Sequence, residues 1–169
     1  MSFIEQGYPQ ARYVAPGAGP SVWAFSGDRY TIKAAAGDTG GSFGVMEAIV
    51  PPQSGPPLHI HHKEDEAFYI VDGRFEIADH ERELVATSGS FIWLPRGGPH
   101  RFRNISDSHA KMLLFFLPGG FEQFFVDCGT PADDGSAPPP PEQFAVDVER
   151  SMRLAAERYG IEAVPPPGG

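Results

Sequence analysis

Between about residues 20 and 120, apolar and polar residues alternate in short stretches separated by turn-forming residues. Alternation with a period of two is typical of strands that bury one face. The run "KMLLFFL" is apolar almost throughout, which predicts a strand buried on both faces. Other strands are predicted at "SVWAFSG", "RYTIKAA", Phe43–Val50, "AFYIV", "RFEIA", "SFIWLP" and "HRFRNI". Strands at this spacing without intervening helices predict an all-β sandwich or barrel.

One turn in this series carries a strong local signal. Asp72 and Gly73 separate "AFYIV" from "RFEIA", and glycine accepts the positive φ that a tight hairpin turn requires. We therefore predict that these two strands pair with each other.

The two ends of the chain differ from its middle. Proline and glycine recur in the first twenty residues and predict an irregular arm. After Gly120, a proline-rich loop leads to "PEQFAVDVERSMRLAAERYG", an amphipathic helix that stops at Gly160. Its apolar stripe is Phe144, Val148, Met152, Ala155 and Tyr159. We treat residues 1–169 as a single domain, with the β core at about 20–120 and the C-terminal loop and helix at 121–169.

Composition narrows the function classes. The chain has 169 residues, 20 of them glycine and 18 proline, which suits one turn-rich core. A formal net charge of −9 argues against nucleic-acid or anionic-membrane partners. Cys128 is the only cysteine, so no internal disulfide is possible. The chain shows neither a signal peptide nor an apolar run long enough to span a membrane, so we expect a soluble, cytoplasmic protein.

The segment "HIHHKEDE" is the first candidate for chemistry. His59 and His61 are two residues apart on a predicted strand and share a face, whereas His62 points the other way. Glu66 follows after a short polar stretch, where a bend would return its carboxylate to the two imidazoles. Such nitrogen and oxygen donors suit a first-row transition metal. The alternative is a solvated, charged turn.

A second segment, "GSFIWLPRGGPHRFRN", favours the metal. It places His100 at the start of a strand after a tight turn, so a fourth donor is available from a separate strand pair. We expect His62 to be a rim residue, and Glu64 and Asp65 to be solvated turn residues. The three arginines of this region are expected to form surface ion pairs; they are Arg96, Arg101 and Arg103.

The two segments resemble the paired motifs of the cupin superfamily, G(X)5HXH(X)3,4E(X)6G and G(X)5PXG(X)2H(X)3N. The second motif is matched throughout, by Gly89, Pro95, Gly97, His100 and Asn104. The first is matched by His59, His61, Glu66 and Gly73. It departs only at its opening glycine, because Gly55 precedes His59 by a shorter spacer than the family has.

This resemblance implies a double-stranded β-helix, the jelly-roll barrel, with an irregular N-terminal arm and one C-terminal helix. It also implies that His59, His61, Glu66 and His100 converge on one divalent ion of iron, manganese, nickel, cobalt or zinc. Together with "GFEQFF" and "RYGIE", the segments look like bacterial quercetin 2,3-dioxygenase-like cupins. In that family a flavonol hydroxyl binds the metal, dioxygen adds to the ring, and the ring opens with release of carbon monoxide. Glu66 would be both ligand and base.

Two other functions remain open at this point. The first is a metal-dependent isomerase or cyclase of an aromatic polyketide that uses no dioxygen. The second is a non-catalytic module that binds a small molecule. In either enzyme the partner is a small aromatic substrate, and we expect a homodimer. Aromatic and apolar strand residues are candidates to line the cavity, with packing in the core as the alternative for each of them; they are Phe43, Met46, Phe68, Phe75, Phe91, Trp93, Phe102, Phe115 and Phe121.

Overall fold

The computed structural model describes residues 10–133 and 135–165, with Ala145 described through its backbone alone. The first nine positions of the predicted N-terminal arm therefore lie outside the described residues. From Gln10 to Pro20 the chain forms no helix or strand, as the glycine and proline content predicts.

Short strands are the main secondary-structure elements of the described chain. They are β1 Ser21–Ala24, β2 Asp28–Ala34, β3 Gly44–Val50, β4 His59–His61, β5 Asp65–Asp72, β6 Arg74–Asp79, β7 Glu83–Thr87, β8 Phe91–Leu94, β9 Pro99–Asn104, β10 Ala110–Leu117, β11 Thr130–Pro131 and β12 Ile161–Ala163. The helices are α1 Glu122–Cys128 and α2 Pro141–Leu154, with a 3-10 turn at Ala36–Asp38 and a π-helical turn at Ala155–Tyr159.

The strands form two antiparallel sheets, which confirms the predicted all-β jelly-roll class. The seven-stranded sheet has the order β11-β1-β2-β3-β10-β5-β8, and the five-stranded sheet has the order β12-β4-β9-β6-β7. Within the described residues, the two sheets are not joined into one continuously hydrogen-bonded barrel. Buried apolar side chains from both sheets form one core cluster that includes Met46, Phe68, Phe75, Phe102 and Phe116.

The predicted hairpin at Asp72-Gly73 is wrong. β5 pairs with β10 and β8, whereas β6 pairs with β7 and β9, so the turn carries the chain from one sheet to the other. Gly73 does have the expected positive φ, at +85°. A favourable turn fixes the local reversal of the chain, but the pairing is decided by distant strands.

Strand β10 is also not buried on both faces as predicted. Met112, Leu114 and Phe116 are buried, whereas Leu113 and Phe115 on the opposite face are only partly buried. The apolar run therefore spans an ordinary alternating strand whose outer face is also apolar.

The predicted C-terminal helix is confirmed as α2 and the π-helical turn, and it ends at Gly160 with φ +72°. A second helix, α1, was not predicted because it is only seven residues long and rich in phenylalanine. Beyond Gly160, β12 pairs with β4. The C-terminal segment therefore lies beside the strand that carries His59 and His61. Among the residues described, no helix is both long and apolar enough to cross a membrane.

Candidate metal centre

Strands from both sheets bring the predicted ligands together. β4 carries His59 and His61, and β9 carries His100, directly opposite His59 in the ladder. Glu66 comes from β5 in the other sheet. We expected one strand pair to hold the first three residues and another to hold His100. The structure instead places three imidazoles on one sheet and the carboxylate on the facing sheet.

The four side chains meet in a small space. Each offers one ligand atom, and these atoms all lie within 4.8 Å of one another. The Nε2 atoms of His59 and His61 are 3.2 Å apart. Glu66 Oε2 lies 2.9 Å from His100 Nε2 and 3.5 Å from His61 Nε2. The four side chains could therefore hold one metal ion between them.

The other ring nitrogen of each histidine has its own hydrogen-bond acceptor. His59 Nδ1 donates to the Pro57 carbonyl oxygen at 2.8 Å, and His100 Nδ1 donates to the Gly98 carbonyl oxygen at 3.1 Å. His61 Nδ1 lies 2.5 Å from Glu64 Oε1. A neutral imidazole that donates through Nδ1 presents a lone pair at Nε2, as metal ligation requires.

Burial and neighbouring charges together set the protonation of the side chains in the centre. Burial, with the charges of His100 and His61, lowers the pKa of His59 to about 3, so this ring is neutral near pH 7. Burial alone would raise the pKa of Glu66, but the charge of His61 and the hydrogen bond from His100 outweigh it and lower the pKa overall. In turn, Glu66 raises the pKa of His100 against the opposing effect of burial. Glu66 is therefore a carboxylate at neutral pH.

The turn that links β4 to β5 contains one wrong prediction. Glu64 is 5% exposed and bonded to His61, not solvated, because the turn folds the i+3 side chain back against the ring. His62 is exposed, as expected of a rim residue, and its Nε2 lies 2.8 Å from Glu162 Oε2. Asp65 is partly exposed and pairs with Arg96.

The arginines are paired, as predicted. Arg96 binds Asp65, and both Arg101 and Arg103 bind Glu76. These pairs leave the arginines no evident role in the centre.

An aromatic wall borders the centre, and α1 supplies much of it. A cavity of about 50 Å³ reaches His59, His61 and Glu66. Phe121 packs edge-on against His61, with ring centroids 4.5 Å apart. Phe124 and Phe125 of α1 also line the cavity. Only the phenylalanine-rich "GFEQFF" could have indicated this wall from the sequence.

Most of the predicted cavity residues lie elsewhere. Of that set, only Phe102 and Phe121 line the cavity. Met46, Phe68 and Phe75 are buried in the core, and Phe115 lies on the outer face of β10. The prediction is wrong for three surface residues, Phe43, Phe91 and Trp93, whose exposed fractions are 40%, 64% and 63%.

The turn before His100 connects the two motif segments. Gly97 has φ +83° and donates its N–H to the His61 carbonyl oxygen at 2.8 Å. A family model described as the cupin domain matches residues 46–116, a range that includes all four candidate ligands. Residues 46–116 form a cupin domain. Its resemblance to this superfamily, predicted from the two motifs, is confirmed.

Comparisons with known proteins place this cupin among relatives of different activity. It is 31% identical to quercetin 2,3-dioxygenase of Bacillus subtilis over 124 residues, 72% of this chain and 36% of that protein. It is 30% identical to polyketide synthase CurC of Streptomyces cyaneus over 82 residues, 48% of this chain and 52% of that protein. The chain therefore spans about a third of the length of the Bacillus subtilis quercetin 2,3-dioxygenase, 36% of which is covered by the alignment.

The fold is also similar to a solved structure. An RmlC-like cupin from Shewanella frigidimarina superposes with a TM-score of 0.57 at 14% identity, covering 68% of this cupin and 97% of that chain. At this identity the likeness concerns the fold alone.

Proposed function

We propose that this cupin is a metal-dependent dioxygenase of the quercetin 2,3-dioxygenase type, acting on a flavonol or a related aromatic hydroxy-ketone. The observation that carries the proposal is the convergence of three imidazole Nε2 atoms and the Glu66 carboxylate beside an aromatic wall. The similarity to the quercetin 2,3-dioxygenase of Bacillus subtilis supports the choice of chemistry.

His59, His61, Glu66 and His100 would hold one divalent ion, and the donor set suits it. Three neutral imidazoles and one carboxylate accept iron, manganese, nickel, cobalt or zinc. When bound, the ion would acidify a substrate hydroxyl and leave positions open for substrate and dioxygen.

Glu66 is the residue we propose as the base. Its carboxylate is buried beside His100, and its lowered pKa keeps it ionised and able to accept a proton. A base has to lie within hydrogen-bond reach of the proton it removes. A hydroxyl directed at the ligand atoms around Glu66 satisfies that requirement.

Substrate entry requires movement of the aromatic wall. Pockets for drug-sized ligands measure about 300–1,000 Å³, whereas the cavity here is about 50 Å³. Tyr159 of the π-helical turn packs against this wall. Its hydroxyl donates to Asp127 Oδ2 at 2.5 Å, and its ring packs edge-on against Phe121 and Phe124. We propose that α1 and the π-helical turn separate when an aromatic substrate binds.

A second candidate is a metal-dependent isomerase or cyclase of an aromatic polyketide. The similarity to polyketide synthase CurC favours it. The same metal centre would polarise a substrate carbonyl and stabilise an enolate without dioxygen. A binding module without catalysis is the third alternative.

We also propose a homodimer. Phe91 and Trp93 on β8 and Tyr69 on β5 form an exposed aromatic patch on the outer face of the seven-stranded sheet. β8 is the end strand of that sheet within the described residues. Large exposed apolar patches on soluble proteins are typical of interaction sites.

The activity test combines metal analysis with a dioxygen electrode. Wild type, His100→Ala and His80→Ala are compared for metal content and for dioxygen uptake with quercetin. His80 is an exposed histidine outside the centre and is the matched control. We expect the wild type and His80→Ala to bind metal, to consume one dioxygen per quercetin and to release carbon monoxide, and His100→Ala to lose all three properties.

Two results would redirect the proposal. Metal-dependent conversion of an aromatic polyketide without dioxygen uptake would favour the isomerase or cyclase. Purified wild type that binds no metal would favour the binding module.

A further inference from the structure

We propose that Glu64 is a positioning residue of the metal centre, which fixes the His61 ring and supplies the second negative charge that balances a divalent ion. Glu64 does not belong to either cupin motif. The inference rests on the metal binding proposed above and extends it to a residue outside the ligand set.

The geometry distinguishes His61 from the other two rings. His59 and His100 each donate through Nδ1 to a neutral backbone carbonyl. His61 alone of the three donates to a side-chain carboxylate, with His61 Nδ1 2.5 Å from Glu64 Oε1. A charged acceptor at Nδ1 fixes the tautomer and makes Nε2 a stronger donor to a metal. His61 would therefore be the strongest imidazole ligand.

The two buried carboxylates of the centre, Glu64 and Glu66, also support this role. Glu64 and Glu66 are 5% and 4% exposed, and each contacts histidine. Over residues 10–133 and 135–165, neither carboxylate forms an ion pair with a lysine or arginine. Their only close charge partners among the described residues are the histidines of the centre, and a buried carboxylate needs a compensating charge. One divalent cation would balance the two carboxylates when the three imidazoles are neutral.

The C-terminal segment holds the Glu64 turn in place. His62 donates its backbone N–H to the Gly160 carbonyl oxygen at 3.1 Å, and Lys63 Nζ donates to the Arg158 carbonyl oxygen at 2.9 Å. Both residues directly before Glu64 are therefore anchored. This arrangement presents the Glu64 carboxylate to His61 without requiring a metal to order it.

The test measures metal affinity directly. Wild type, Glu64→Gln, Glu64→Ala and Glu162→Gln are stripped of metal, and Zn²⁺ binding is measured by competition with a chromophoric chelator. Glu162 is the matched control, because it pairs with the exposed His62. We expect Zn²⁺ affinity to fall about 10–100-fold in Glu64→Ala, the usual effect of removing such a partner. Glu64→Gln retains an oxygen acceptor but not the charge, so it should fall between Glu64→Ala and the wild type.

A Co²⁺ absorption spectrum gives a readout that a purely structural role would not change. The ligand-field bands of the Co²⁺-loaded protein should shift in Glu64→Gln and stay unchanged in Glu162→Gln. The proposal would be overturned if a folded Glu64→Gln variant had the same Zn²⁺ affinity and the same Co²⁺ spectrum as the wild type. This outcome decides the test even if Glu64→Ala does not fold. Failure of the wild type itself to bind Zn²⁺ and Co²⁺ would instead overturn the proposed metal centre.

Discussion

His59 and His100 lie directly opposite each other on adjacent antiparallel strands, and their ring centroids are 4.7 Å apart. This cross-strand pair forms one side of the candidate centre. Its position depends on strand register, since a shift by one residue would turn either ring to the opposite face. The centre is thus built into the pairing of β4 with β9.

The alternation of side chains along β4 predicts that replacing His59 weakens Zn²⁺ binding, whereas replacing His62 does not. His59→Ala removes a donor and should weaken Zn²⁺ binding by more than about 100-fold, beyond the effect of losing a hydrogen-bonding partner of a ligand. His62→Ala should leave affinity unchanged, because His62 faces the exposed Glu162. Chelator competition on both variants checks this, and equal losses would contradict the assignment of faces.

Gly55 should tolerate no side chain. A Cβ at this position would collide with the backbone carbonyl of Phe102 in β9. We expect Gly55→Ala to destabilise the fold by about 1–3 kcal/mol through overpacking. A Cβ at Gly37 meets nothing within 4 Å, so Gly37→Ala is the control. Thermal unfolding of the two variants checks the prediction, and equal melting temperatures would contradict the close approach of Gly55 to β9.

Asp28 should make stability depend on pH. Its carboxylate accepts hydrogen bonds from Ser54 and Tyr30, but burial outweighs them and raises its pKa from 3.8 to about 6. The folded state therefore holds the proton more tightly than the unfolded chain. The associated stability, on the order of 3 kcal/mol, is fully present below about pH 3.8 and is lost as pH rises through about 6.

Asp28→Asn should remove this dependence. In denaturant titrations with chelator present, its stability relative to wild type should rise from pH 4 to pH 8. The stability of Asp127→Asn relative to wild type should instead fall as pH rises. The hydrogen bond from Tyr159 lowers the Asp127 pKa, so the stability it confers is present at high pH and lost as pH falls. Parallel pH profiles for Asp28→Asn and wild type would contradict the prediction.

The aromatic patch on β8 predicts an oligomeric state. The double variant Phe91→Lys, Trp93→Lys should be monomeric by light scattering at concentrations at which the wild type is a dimer. Val85→Lys is the control, because Val85 is 53% exposed on β7 of the other sheet. A wild-type monomer, or a dimer that persists in the double variant, would contradict the proposed interface.

Local patterns and the resemblance to the cupin motifs together identify the candidate ligands. Strand alternation places His59 and His61 together and directs His62 outward, and the second motif identifies His100. The alternation depends on backbone geometry within a few residues, which sequence encodes directly, whereas the complete ligand set is what the resemblance to the cupin motifs implies. The burial of Glu64 was missed because it depends on how a three-residue turn folds back against His61.

Features set by distant contacts were predicted less well. The Asp72-Gly73 turn predicted a hairpin, but β10 and β8 pair with β5 and exclude β6. Alternation shows which side chains share a face, not which face is inside. Phe91 and Trp93 are therefore candidates for the cavity or the core by sequence, although they lie on the surface.

The most direct test of the metal centre is a crystal structure of the protein loaded with Zn²⁺, with the ion located by anomalous scattering. The proposed centre predicts one strong peak about 2.0–2.2 Å from the Nε2 atoms of His59, His61 and His100 and from a Glu66 oxygen. No peak at that position, or a peak only at a surface pair such as His62 and Glu162, would contradict it.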